Sequence, residues 1–186
     1  MKPFKILIAT TLLSLILISS CKKDDPEIPN EEEVITTLTY TLTPTGGGAP
    51  VVLTFKDLDG DGGNAPTITG GVLDSNVTYT GAIVLLNEQE DPAENITTEV
   101  RDEAEEHQLF YSTSSSDVSI SYTDTDANGD PIGITTSLTT TNISSGTIKI
   151  TLRHEPNKSA SGVSTGDISN AGGETDIEVT FNLDVQ

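Results

Sequence analysis

The sequence predicts an all-β protein, an antiparallel immunoglobulin-like β-sandwich with one short helix. Three observations lead there. Apolar residues alternate with threonines and acids over several short stretches, the period-2 pattern of half-buried strands. Glycine, asparagine, aspartate and proline punctuate those stretches at intervals suited to tight turns. Only 4% of residues are aromatic and tryptophan is absent, while threonine is abundant, so many β-branched side chains must share a modest core.

The strands follow in order. Leu38, Tyr40 and Leu42 share one face, with threonines between them. Val51, Leu53 and Phe55 repeat the pattern beyond the turn "PTGGGAP". The run Val77 to Leu86 is apolar on both faces and predicts a central strand. Leu109 to Tyr111, Val118 to Tyr122, Ile132 to Leu138 and Ile148 to Leu152 come next. In the last strand Ile177, Val179, Phe181, Leu183 and Val185 alternate with Asp176, Glu178, Thr180, Asn182 and Asp184. About eight short strands of this kind fit a sandwich, with a barrel as the alternative.

One segment breaks the alternation. "DPAENITTEVRDEAEEH" offers Asp91 as an N-cap, Pro92 at the first helical position and Glu94 for a capping box. Ile96, Val100 and Ala104 are spaced by four, so the pattern predicts a helix from Pro92 to Glu106. Its last turn would carry Asp102, Glu103, Glu105 and Glu106 beside the negative end of the helix dipole. Acids are disfavoured there. Either the helix stops early or a positive group compensates.

The N-terminus has a different character. Lys2 and Lys5 precede an apolar run from Ile6 to Ile18, the length of a signal-peptide core and short for a membrane span. Ile18-Ser19-Ser20-Cys21 resembles a bacterial lipobox. The resemblance implies cleavage before Cys21, a diacylglyceryl thioether on its sulfur and acylation of its amino group. Acyl chains contribute roughly 0.8 kcal/mol per buried methylene, so two or three anchor a protein stably. Cys21 is the only cysteine, and its lipidation removes both a disulfide framework and a thiol nucleophile from consideration. Lys23, Asp24 and Asp25, one residue beyond it, resemble the surface-export signal of Bacteroidota lipoproteins. The expected organisation is therefore a signal peptide over 1–20, a lipidated acidic tether over 21–33 and one sandwich domain over 34–186. The tether holds two prolines and six acids with almost nothing apolar, a composition that stays extended.

Charge narrows the partners. Removing residues 1–20 takes two of the nine basic side chains and no acid, leaving 29 acidic against 7 basic. Such a surface repels phosphate backbones, so nucleic acid is excluded as a partner. It attracts cations. The expected contacts are the membrane, through the lipid, and an outer-membrane protein.

Two loops have the oxygen spacing that calcium uses. "DLDGDGG" supplies Asp57, Asp59 and Asp61, and "DTDANGD" supplies Asp124, Asp126, Asn128 and Asp130. Oxygens at alternate positions can converge on Ca2+, and the following glycine allows a sharp turn. Neither loop has the closing glutamate, the twelfth positions being Ile68 and Thr135. Turns between strands call for the same residues, so calcium is a candidate cofactor and no more. His107 and His154 form the other constellation. His107 follows the acidic helix end, and His154 continues the parity of Ile148, Ile150 and Leu152. With Glu105, Glu106, Glu155 or Glu174, two imidazoles could hold zinc or a similar ion. The polar stretch "NKSASGVSTGDISNAGG" before the last strand reads either as a partner-binding tip or as a floppy insertion. There is no nucleophile elbow, phosphate-binding glycine loop or His-Glu-x-x-His motif, and the protein is not expected to be an enzyme.

"DLDGDGGNAP", "EEHQLFY", "LRHEPNK" and "GETDIEVTF" are similar to segments of small acidic Bacteroidota lipoproteins. That resemblance implies an outer-membrane address and transfers no catalytic residue. The expected function is a surface-anchored, non-catalytic binding or interaction lipoprotein, accessory to an uptake system. A metal-binding lipoprotein using His107 and His154 is the alternative.

Overall fold

The computed structural model describes residues 33–60 and 63–186. Two sheets pack face to face. The larger runs in the order β3-β2-β1-β5-β8-β7 and the smaller in the order β4-β10-β9-β6. In chain order the strands are β1 Thr37–Pro44, β2 Val51–Lys56, β3 Thr67–Thr69, β4 Gly71–Leu73 and β5 Thr78–Leu86. After helix α1, Ile96–Asp102, come β6 His107–Thr113, β7 Val118–Tyr122, β8 Thr135–Thr140, β9 Ser144–His154 and β10 Glu174–Val185. The protein is thus a β-sandwich with one short α-helix, as the alternation predicts.

Side-chain parity builds the core. Leu38, Tyr40 and Leu42 of β1 point inward and are fully buried, as are Leu53 of β2 and Leu85 of β5. Leu109, Ile148, Ile150, Leu152 and Phe181 of the smaller sheet meet them in one cluster. Each such side chain stabilises the fold by roughly 1.5–3 kcal/mol relative to exposure. A slip of one residue in any of these strands would exchange its buried set for threonines or acids.

Four features differ from the sequence reading. The run ending at Leu86 is a central strand, hydrogen-bonded to β1 and β8, yet its second face is open, with Val84 41% exposed. Among the described residues no second layer lies on that side, which is ordinary for an antiparallel sheet. Two short strands, β3 and β4, escape the alternation pattern. Between them the chain crosses from one sheet to the other at Gly70, where a Cβ would lie 2.2 Å from the Asn182 carbonyl oxygen. β4 then runs parallel to β10, so the sandwich is not wholly antiparallel.

The helix is shorter than the predicted Pro92–Glu106, and its N-cap position is Asn95, not Asp91. Asn87 and Glu94 exchange both backbone hydrogen bonds, which commits the preceding residues to a β-bridge. The helix ends at Asp102, so Glu105 and Glu106 avoid its negative end. The compensating positive group exists as well: the Lys158 ammonium donates to the Ala104 carbonyl at 2.5 Å.

The polar stretch before β10 packs against the sheet and does not hang free as an insertion. It forms two 3-10 turns, Val163–Thr165 and Ile168–Asn170. Val163 and Ala171 are fully buried against Phe110 in a satellite cluster, and Gln108 Nε2 donates to the Val163 carbonyl at 2.9 Å. The stretch covers the outer side of β6.

Candidate metal centre

β6 and β9 pair antiparallel with His107 opposite His154. The two rings stack at a centroid distance of 4.5 Å and an interplanar angle of 25°. His107 is fully buried and His154 is 6% exposed. The chain turns sharply just beyond His154. Glu155 adopts a left-handed φ of 49°, and at Gly173 a Cβ would lie 2.2 Å from the His154 carbonyl oxygen.

The third member comes from β10. Its register against β9 shifts between Thr175, opposite Arg153, and Ile177, opposite Leu152. Asp176 is the extra residue of this bulge. Simple alternation would set Asp176 on the solvent side with Glu178. The bulge re-aims it, and its side chain is fully buried with Oδ2 3.9 Å from His107 Nε2. Ligand atoms of His107, His154 and Asp176 all lie within 4.8 Å of one another.

The surroundings favour a neutral imidazole at His107. His107 Nδ1 lies 3.3 Å from the Glu103 carbonyl oxygen, an acceptor that holds the proton on Nδ1 and leaves the Nε2 lone pair free to bind a cation. His107 Nε2 and His154 Nδ1 are buried without a hydrogen-bond partner. Burial holds the His107 pKa below its ordinary value, against the opposing effect of the Glu103 hydrogen bond. Metal ligands must be deprotonated, so this shift suits the task. At the rim, His154 Nε2 is 3.9 Å from Glu106 Oε2, and a second cluster joins Glu106, His154 and Glu155.

Two histidines and a carboxylate are an N/O donor set suited to zinc and similar divalent ions. The sequence pointed to both histidines but named Glu105, Glu106, Glu155 and Glu174 as acidic partners. Glu106 and Glu155 do reach the rim. Asp176, the buried carboxylate, was missed because its parity assigned it to solvent.

The two aspartate loops are organised differently. Asp57 Oδ1 accepts from the Gly60 backbone at 3.0 Å, and Asp59 Oδ2 accepts from the backbone and side chain of Asn64 at 2.9 and 2.7 Å. These bonds shape a turn; Asp61 lies outside the described residues. In the second loop Asp124 accepts from the Gly133 and Thr135 backbones, both at 2.8 Å. Asp126 accepts from the Asn128 and Asp130 backbones and from the Lys158 ammonium, each at 2.9 Å. The cation in that loop is the protein's own. Among the described residues, no cluster of three potential metal ligands includes Asp57, Asp59, Asp124, Asp126 or Asp130. Cys21, Lys23, Asp24 and Asp25 also lie outside the described residues, and no helix among those described is long and apolar enough to cross a membrane.

No protein-family model matches the chain, and no curated protein does. Among solved structures the chain is similar to the crystal structure of the S-layer protein SbsC domains 4 and 5. The identity is 12%, the TM-score 0.31, and the match covers 78% of this chain and 75% of that one. A likeness of that size carries neither fold nor function.

Proposed function

We propose that the protein is a lipid-anchored, non-catalytic binding lipoprotein of the outer membrane that faces the cell exterior and takes up a divalent transition metal. His107, His154 and Asp176 are the ligands, and zinc is the ion their chemistry fits best. One observation supports this above the others. A bulge in β10 turns a carboxylate inward beside two buried histidines, one nitrogen of each lacking a hydrogen-bond partner. Unpaired buried polar atoms cost roughly 1–3 kcal/mol each, and a bound ion removes that cost. The anchor and the outward address rest on Cys21 and on Lys23, Asp24 and Asp25. An accessory role in uptake follows from pairing such an anchor with a cation site.

Zinc titrated into the metal-free domain tests the reading by calorimetry and thermal melting. Saturation at a hundredfold excess over Kd should stabilise the fold by about 2.7 kcal/mol, and magnesium at matched ionic strength should not. Asp176→Asn and His107→Ala should each remove the zinc-specific part. Equal shifts from zinc and magnesium in the unaltered protein would overturn the assignment.

A further inference from the structure

We propose that Glu106, His154 and Glu155 form an outer capture site for the same divalent cation, which takes the ion from solvent and passes it to the buried ligands His107 and Asp176. The inference rests on the metal reading above and adds the route by which the ion enters. The need for a route is geometric. The side chains of His107 and Asp176 are both 0% exposed, so an ion must shed its water before it reaches them, and a buried site requires an entry path.

His154 connects the two positions. Ligand atoms of Glu106, His154 and Glu155 all lie within 4.8 Å of one another, and His154 also belongs to the inner group with His107 and Asp176. The His154 side chain is 8% exposed and that of Glu106 beside it 59%; Glu155 is exposed as well. Exposure therefore falls from the two carboxylates through His154 to the inner pair. The ring nitrogens of His154 have different settings. Nε2 is 3.9 Å from Glu106 Oε2, and Nδ1 is buried without a hydrogen-bond partner. A buried imidazole with a purely structural role has its nitrogens paired, so this orphaned nitrogen points to a ligand.

The backbone keeps both carboxylates at the rim, since the Glu155 N–H donates to the Glu106 carbonyl at 2.6 Å. Their chemistry suits a first contact: exposed carboxylates draw cations from solution, and their oxygens replace bound waters on zinc. The inner position adds a second imidazole, a better zinc ligand than water, so the ion settles there. A competing entrance lies at Glu33 and Glu103, which form a further cluster with His107. His107 is the poorer relay, because its ring is fully buried and its Nδ1 is engaged by the Glu103 carbonyl at 3.3 Å. A neutral imidazole has one lone pair to give. His154 therefore serves one ion at a time, and a loaded chain holds one ion.

Zinc transfer from a chromogenic chelator to the full-length protein in detergent measures loading rate, Kd and stoichiometry together. The unaltered chain should take up one ion. Glu106→Gln with Glu155→Gln should slow loading tenfold or more and slow release into excess chelator by a similar factor, because a route serves both directions. Its Kd should stay within threefold of the unaltered value. Glu103→Gln with Glu105→Gln removes the same charge from neighbouring exposed positions and should load within threefold of the unaltered rate. Unchanged circular dichroism of each metal-free variant shows that it is folded. Equal loading rates in the two double variants, with zinc binding still lost in Asp176→Asn, would overturn the capture role and leave the inner site standing. A Kd weakened tenfold or more in the Glu106 and Glu155 variant would make these residues ligands of the resting ion and would also overturn it. Absence of zinc binding by the unaltered chain would overturn both readings.

Discussion

Lys158 and Asp126 form an ion pair of 2.9 Å whose side chains are 5% and 0% exposed. The ammonium also donates to the carbonyls of Ala104 at 2.5 Å and Pro131 at 3.1 Å. One side chain thus ties together the end of α1, the loop before β8 and the stretch before β10.

Breaking that pair should be expensive. Lys158→Met leaves Asp126 as an uncompensated buried charge and two carbonyls without their donor, a loss of roughly 3–5 kcal/mol. Urea denaturation measures it. Asp126→Asn in the same chain should recover part of the loss by removing the charge. A Lys158→Met midpoint within about 0.5 kcal/mol of the unaltered protein, the usual range for surface changes, would contradict the role given to the pair.

The pH dependence should carry the mark of Glu99. Burial first, then the hydrogen bond and charge of Glu33, push its carboxyl from 4.5 up to about 7. The folded state therefore holds this proton more tightly than the unfolded one. The contribution is fully present below pH 4.5 and is lost as pH rises through about 7. Glu99→Gln, which imitates the protonated form, should match the metal-free unaltered protein near pH 4.5 and exceed its stability at pH 8. His107 acts in the opposite sense, since its lowered pKa costs stability as pH falls through the ordinary histidine range near about 6.5. Comparing each variant with the unaltered chain separates the two. A difference for Glu99→Gln that does not change with pH would remove Glu99 from the account.

Gly81 is required for space. It is a buried strand residue beneath the hydrogen bond of 2.7 Å between Tyr40 Oη and Thr136 Oγ1. A Cβ there would lie 2.3 Å from Thr136 Oγ1 and 2.5 Å from Tyr40 Oη. Gly81→Ala should cost about 1–3 kcal/mol as the core is forced apart. The reverse sign in equilibrium unfolding, a gain from β-propensity, would show that the two hydroxyls move aside freely.

For the anchor, Cys21→Ala should abolish incorporation of labelled palmitate and release the protein from membranes. Replacing Lys23, Asp24 and Asp25 by alanine should protect it from protease added to intact cells. Palmitate labelling that persists without Cys21 would end the lipobox reading.

Period-2 alternation is a local property, and it made most of this fold legible in the sequence. The inward sets of β1, β2, β9 and β10 are those the alternation predicts, because parity needs only neighbouring residues and a buried face. His107 and His154 were legible as candidate ligands, one after the acidic helix end and one in strand parity. Tertiary structure decided the rest. Whether the two histidines meet depends on the register of β6 against β9, which no short segment encodes. Asp176 faces inward because one extra residue shifts β10 against β9, and a bulge inverts the parity on which a sequence reading relies. Asp126 sits in a loop with calcium-like spacing, yet its counter-ion is Lys158, brought from a distant polar stretch by the burial of Val163 and Ala171 on Phe110. The sequence shows where charges are plentiful; only packing decides which of them lose water, and those are the ones that must find a partner.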